Sequence, residues 1–205
     1  MNTTVILANG IFPTHKKPLK ILKEANTIIC CDGAINKLDE LDIIPNLIIG
    51  DMDSITKKLK DKYRDKLLTI KSQNENDLRK AINWLEKNNY KSAIILGATG
   101  NRDDHSLGNI FTLLEYPATI NLKMISDYGE FSVINKRTTL QSFSGQQISL
   151  FSNNDKIKIS SINLKYNLKN ATLKSLYSGT LNESTSDFIT INISHGSILI
   201  YQLFH

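Results

Sequence analysis

Cysteine is almost missing from this chain. Of 205 residues only Cys30 and Cys31 carry thiols, and they are adjacent. Neighbouring cysteines bridge only with strain, so no disulfide framework holds this protein together. They follow Thr27-Ile28-Ile29 and read as the buried end of a strand, with a structural role. Long apolar runs are missing too. No segment reaches the roughly 18 residues that a membrane helix needs. No basic region precedes the first apolar run, Val5 to Ala8, which is too short for a signal peptide. The expectation is a cytoplasmic protein with no membrane contact. No Gly-x-Gly-x-x-Gly follows the first strand and no Walker A pattern occurs, which disfavours an ordinary dinucleotide fold and a P-loop kinase. No Ser/His/Asp or Cys/His arrangement stands out. Aromatic residues do not interleave with the cluster Lys57, Lys58, Lys60, Lys62 and Lys66, as a platform for stacking single-stranded bases would require. There is no long linker, low-complexity segment or internal repeat.

What remains is ordinary in amount, at 40% hydrophobic and 22% charged residues, and typical of a globular protein. The length suffices for one large domain or two small ones. The net charge of +5 suits either the handling of polyphosphate or a nucleic-acid surface. Short apolar runs alternate with helical patterns through the first two thirds. Strands are expected at Val5–Ala8, Thr27–Cys31, Leu47–Ile49, Leu67–Ile70, Ala93–Leu96 and Leu122–Ile125. Helices are expected around Leu19–Ala25, Ala34–Leu41, Thr56–Arg64, Asp77–Lys87 and His105–Leu114. Leu78, Ala81, Ile82 and Leu85 give the fourth of these a clear apolar face. This β/α alternation argues for a mainly parallel sheet with helices on both faces. After about residue 135 helical periodicity stops. Strands are expected at 147–151, 156–159, 188–193 and 197–201, forming a small all-β sandwich. So small a sandwich leaves apolar surface to be covered by a neighbour or a second subunit.

In parallel α/β sheets ligands bind beyond the carboxyl ends of the strands. Here those ends carry Asn9-Gly10, Asp32-Gly33, Asp51 and Asp53, Gly97-Ala98-Thr99-Gly100, and Asp127. Asp51 and Asp53 leave a strand one residue apart, so alternation turns both carboxylates the same way. Such a pair holds a hard cation such as Mg²⁺, unless the two are turn and cap residues. The stretch Gly97 to His105 runs from a strand through a flexible loop into a helix, where a helix N-terminus and the Arg102 fork attract phosphate. Asp103 or Asp104 can cap that helix. Asp77 opens the amphipathic helix and is expected to cap it, with one oxygen still able to face a ligand.

Together these segments resemble the thiamine pyrophosphokinase family. The resemblance rests on Cys31-Asp32-Gly33-Ala34, Gly50-Asp51-Met52-Asp53-Ser54, Gln73 with Asn76-Asp77, the Gly97-to-Asn109 stretch, and Gly179-Thr180-Leu181-Asn182-Glu183, in that order. It implies an α/β ATP-binding catalytic domain over residues 1–134 and a β-sandwich for thiamine binding and dimerisation over 135–205. It also implies a homodimer in which one subunit's sandwich closes the active site of the other. The family moves a diphosphate from ATP to the hydroxyl of thiamine, with Mg²⁺, and releases AMP. Carried onto this chain, the resemblance puts Asp51, Asp53 and Asp32 at the metal. Asn9, Gly10, Asp32, Gly33, Gly97, Thr99, Arg102, His105 and Asn109 would line the nucleotide. Gln73, Asp77, Asn182 and Tyr166 would face thiamine, with Asn182 reaching it from the partner subunit. Asp51, Asp53, Asp77, Arg102 and Asp104 would form the catalytic set. Many family members have Ser-Asn where this chain has Leu181-Asn182, which removes a hydroxyl from the pyrimidine contact unless Ser184 replaces it.

Two other readings explain part of the pattern. A metal-dependent nucleotide-sugar glycosyltransferase also uses Asp-x-Asp at a strand end, but leaves Arg102 to Asn109 and the trailing sandwich unexplained. A non-catalytic nucleic-acid-binding protein accounts for the basic charge but not for the polar sheet edge.

Overall fold

The computed structural model describes residues 2–72, 74–116 and 119–204. The chain divides into two units. The first runs to Thr112 and takes in the stretch ending at Asp127. The second takes in a short stretch beginning at Leu113 and the chain from Tyr128 onward.

In the first unit the elements alternate as follows: β1 (Thr4–Leu7), α1 (Lys16–Lys23), β2 (Thr27–Cys31), α2 (Ile35–Glu40), β3 (Leu47–Gly50), α3 (Lys57–Lys62), β4 (Leu67–Thr69), α4 (Asp77–Lys87), β5 (Ser92–Leu96), α5 (Asp103–Thr112) and β6 (Asn121–Ile125). The strand order is β6-β5-β1-β2-β3-β4, and each of these neighbouring pairs is parallel. After their first residues the central strands are continuously apolar, because both their faces are covered. Val5, Ile6, Leu7, Ile29, Cys30, Ile48, Ile49, Ile95 and Leu96 have no exposed surface. Each buried Ile or Leu contributes about 2 kcal/mol of transfer free energy. Helix α4 lies against β1, β2 and β3 and buries Leu78, Ala81, Ile82 and Leu85. Both cysteines are free and buried, as the apolar run around them predicts, and burial pushes both thiols to higher pKa.

The second unit holds β7 (Gly129–Ile134), β8 (Thr138–Gln141), β9 (Gln147–Phe151), β10 (Ile159–Ile162), β11 (Asn182–Glu183), β12 (Phe188–Ile193) and β13 (Ile198–Leu203). One layer is ordered β11-β9-β13-β7 and the other β10-β12-β8, with antiparallel pairing. Ile134, Ile148, Leu150, Ile198 and Ile200 of the first layer share a core with Ile159, Ile189, Ile191 and Ile193 of the second. Taken over the whole chain, pairing is therefore mixed: parallel in the first unit and antiparallel in the second. The strand expected at 156–159 begins only at Ile159. Ile157 is buried, but its N–H donates to Asn154 O within a turn, so its apolar signal belongs to the turn. Among the described residues no helix is long and apolar enough to cross a membrane.

Candidate active site

The chain adds β2, β3 and β4 to one side of β1 and then returns to place β5 on the other. Loops leaving β1 and β5 must diverge there, which opens a crevice at the carboxyl edge. A cleft of about 430 Å³ lies at that edge, a size that suits a small molecule. Its floor depends on close backbone approach. Gly10 N donates to Gly97 O at 2.7 Å, and Ile11 N to Thr99 O at 2.9 Å. A Cβ on Gly10 would come within 2.5 Å of Gly97 O and 2.7 Å of Thr99 O, so only glycine allows this contact. Asn9, Gly10, Ala98, Gly100 and Asn101 line the cleft. Gly97 and Thr99 serve it through their carbonyls, and Gly33 backs onto the Asn9 side chain.

Three carboxylates converge on one wall. Asp32, Asp51 and Asp53 each offer an oxygen within 4.8 Å of the others. The convergence does not come from strand alternation. Met52 takes a left-handed backbone, φ 69°, and buries its side chain, so the chain turns and leaves a carboxylate on either side. Asp53 N donates to Asp51 Oδ1 at 3.2 Å, and Ser54 Oγ to Asp53 Oδ1 at 2.9 Å. Asp32 also sits in a positive-φ conformation, at 36°. It is only 3% exposed. Its Oδ2 accepts from Ser54 N at 3.3 Å, while its buried Oδ1 has no hydrogen-bond partner. Burial raises the Asp32 pKa; Ser54 opposes the rise and the Asp77 charge adds to it. A buried carboxylate with an orphaned oxygen, next to two more carboxylates, is an unfavourable arrangement by itself. A hard divalent cation relieves it, and the all-oxygen donor set matches Mg²⁺.

The start of α4 also lines the cleft. Its cap is Asn76, not Asp77. Asn76 has extended backbone (φ −72°, ψ 166°) and its Oδ1 accepts from Arg79 N, whereas Asp77 is already the first helical residue. The Asn76 Nδ2 donates to Asn109 Oδ1 at 2.9 Å, and Asn109 Nδ2 donates to Ala98 O at 2.8 Å. Asn109 thus ties α4, α5 and the loop after β5 together. Asp77, freed from capping, accepts from the ammonium of Lys80 at 2.9 Å. Lys80 lines the cleft and went unnoticed in the sequence. Its signal was there: a lysine three residues after the cleft aspartate, directly beside the buried Ala81.

On the loop entering α5, the Arg102 guanidinium grips Asp104 through two bonds, Nε to Oδ1 at 3.1 Å and Nη2 to Oδ2 at 2.5 Å. The Arg102 bond, helped by His105 N, holds the Asp104 carboxyl down at about 2. The helix begins at Asp103 rather than at His105, so Asp103 and Asp104 both lie in its first turn. They already complement the helix dipole there. The positive charge at this end is that of Arg102, which lines the cleft together with His105. Asp127 takes no part. Its carboxylate accepts from Thr14 N, Thr14 Oγ1 and His15 N, just ahead of α1.

In the second unit Asn182 is buried. Its Oδ1 accepts from Tyr166 N and Glu183 N, and its Nδ2 donates to Tyr166 O. The amide thereby fixes the Tyr166 backbone, and the residue is left 64% exposed. Leu181 is 82% exposed in a left-handed conformation, φ 60°. Ser184 is fully buried and donates to Ser186 O, so its hydroxyl serves the fold rather than replacing a serine at 181. Gln73 lies outside the described residues.

The catalytic-domain model of thiamin pyrophosphokinase matches residues 19–125, and the substrate-binding-domain model of the same enzyme matches residues 129–201. The chain belongs to the thiamin pyrophosphokinase family. It is 26% identical over 209 residues to thiamine pyrophosphokinase 1 of Oryza sativa subsp. japonica, covering 85% of this chain and 77% of that one. Its fold is similar to the crystal structure of thiamine pyrophosphokinase from Bacillus subtilis, with TM-score 0.82 at 22% identity, covering 98% of this chain and 99% of that one. The yeast thiamin pyrophosphokinase structure gives TM-score 0.81 at 21% identity, covering 99% and 86%. The known reaction of thiamin pyrophosphokinases is transfer of diphosphate from ATP to thiamine, so the chain is an enzyme. The Asp-x-Asp pair belongs to a diphosphokinase and not to a nucleotide-sugar glycosyltransferase.

Proposed function

We propose that the cleft of the first unit binds ATP with Mg²⁺ and that thiamine is diphosphorylated there. The carrying observation is the convergence of Asp32, Asp51 and Asp53, with Asp32 Oδ1 buried and unpartnered, in a cleft that also presents Arg102. Those three carboxylates would hold the Mg²⁺, which when bound supplies positive charge against the phosphate oxygens. Asn9, Gly10 and Asn101 shape the nucleotide side. Arg102, preoriented by Asp104, neutralises charge as it builds on the β-phosphoryl group. The thiamine hydroxyl oxygen bonds to the β-phosphorus, the bond from that phosphorus to the α,β-bridging oxygen breaks, and AMP leaves. The hydroxyl proton passes to solvent. The hydroxyl is a weak nucleophile, so the rate rests on positioning and charge neutralisation rather than on a strong base. Asp77 directs a carboxylate at the cationic thiazolium.

We further propose a homodimer in which Tyr166 and the strained Leu181 of one subunit meet thiamine at the other subunit's cleft. Their exposure, together with the small size of the sandwich, supports this reading. Asn182 acts on it from behind, by fixing Tyr166. A cytoplasmic location fits the two free cysteines. The test is incubation with ATP, Mg²⁺ and thiamine, with the products separated chromatographically. AMP and thiamine diphosphate in equal amounts are expected. ADP as the sole nucleotide product would refute diphosphate transfer.

A further inference from the structure

We propose that the Lys80 ammonium binds the diphosphate group that is transferred, and that Asp77 holds it in place to do so. Lys80 is 4% exposed, yet it lines the cleft. A buried ammonium is costly unless paired, and replacing a buried ion pair with apolar side chains commonly leaves a fold as stable or more so. The other buried residues of α4 are all apolar: Leu78, Ala81, Ile82 and Leu85. Packing alone would therefore accept a leucine or methionine at position 80, and the charge needs another reason.

Charge and donor count supply that reason. The cleft wall carries Asp32, Asp51, Asp53, Glu75 and Asp77 against Lys80 and Arg102. The Arg102 guanidinium is already engaged by both oxygens of Asp104. Of the three ammonium donors of Lys80, Asp77 Oδ1 takes one, and no described residue takes the other two. A desolvated ammonium with spare donors in an otherwise acidic cleft fits a polyanion and repels a cation. Asp77 fits the opposite partner, with its side chain 29% exposed and Oδ2 unengaged among the described residues. In the reaction a cationic acceptor must meet a diphosphate end to end. The Asp77–Lys80 pair presents one charge of each sign, 2.9 Å apart, at such a junction: carboxylate toward thiamine, ammonium toward diphosphate.

This assignment rests on the ATP-to-thiamine reading, and one set of titrations separates the two. Lys80→Met and Lys80→Arg are compared with the unaltered protein by calorimetry, using ATP, AMP, thiamine and thiamine diphosphate with Mg²⁺ present throughout. Loss of a charge-assisted bond should weaken ATP and thiamine diphosphate about tenfold to a hundredfold in Lys80→Met. AMP and thiamine, which lack the transferred group, should bind as before. Lys80→Arg should recover part of the loss. Equal weakening of thiamine would mean that Lys80 only positions Asp77, and would overturn the contact. Unchanged affinity for thiamine diphosphate would overturn it too, as would loss of all four ligands together with a lowered melting temperature. Failure of the unaltered protein to bind ATP or thiamine would overturn the reaction reading along with it.

Discussion

Met52 holds a conformation that residues other than glycine seldom adopt, and the convergence of the three cleft carboxylates depends on it. Its buried thioether anchors the turn, and the positive φ lets Asp51 and Asp53 face Asp32 together. Such strain persists where the surroundings enforce it, and it clusters at functional sites. Asp51→Asn and Asp53→Asn keep the shape and remove the charge. Each should lose at least about a hundredfold in turnover while the circular dichroism melt stays unchanged. Near-normal turnover of either variant at saturating Mg²⁺ would contradict its role. Asp104 gives a second test at this scale. Its carboxyl is held at about 2 by Arg102 and the His105 N–H, below the unfolded value of about 3.9. The stabilisation it provides is present in full above the unfolded value and is lost as pH falls through about 2. The Arg102–Asp104 clasp should therefore be intact across the neutral range. Arg102→Ala should move the Asp104 midpoint up toward the unfolded value in a carboxyl-carbon NMR titration. A midpoint that stays near 2 would show that the backbone N–H alone sets it.

Among the elements, α4 shows how local structure reaches the chemistry. Its bounds, Asp77–Lys87, are those the apolar periodicity predicts, because its buried stripe and its surroundings agree. Its cap is Asn76, one residue before the Asp77 that the sequence favours. Both Asn76 and Asp77 are good capping types, and only backbone geometry separates them. The difference matters, since a capping Asp77 could not hold Lys80 as it does. Asn76 bridges to Asn109 as well as capping, so Asn76→Ala removes two bonds and leaves Asn109 Oδ1 short of a donor. A loss of about 1–2 kcal/mol is expected, read by urea denaturation, and ATP affinity should fall with it as α5 loosens. A loss below about 0.5 kcal/mol would mean that water replaces the cap. In the second unit, β11 has two residues and β8 four. Strands this short carry too few alternations to be read from sequence, and the antiparallel pairing defines them.

At the level of the whole molecule, the proposed dimer makes the site a shared property. Tyr166 and Leu181 lie on the unit matched by the substrate-binding-domain model, while the acidic cluster and Arg102 lie on the unit matched by the catalytic-domain model. If each site draws on both subunits, Asp53→Asn and Asn182→Ala should be inactive separately and complement when co-expressed. Random pairing makes half of the dimers mixed, with one sound site each, so about a quarter of normal turnover should return. Sedimentation as a monomer, or no recovery in a mixture shown to be folded, would refute a shared site.

Periodicity and strand-end chemistry were enough to read the β/α alternation, the later all-β region and most of the polar sheet edge from sequence. Those are local signals, set by which faces of each element are buried and which residue types end strands. The tertiary structure decided what depends on neighbours far along the chain. Position 10 must be glycine because the Gly97 and Thr99 carbonyls pass within hydrogen-bond reach. Asp32 faces two further carboxylates only because the turn at Met52 brings Asp51 and Asp53 beside it. Lys80 lines the cleft although it lies off the apolar stripe of its helix, because the fold buries that side of the helix as well. Charge, burial and unpaired donors are properties of surroundings, and one-dimensional spacing does not carry them.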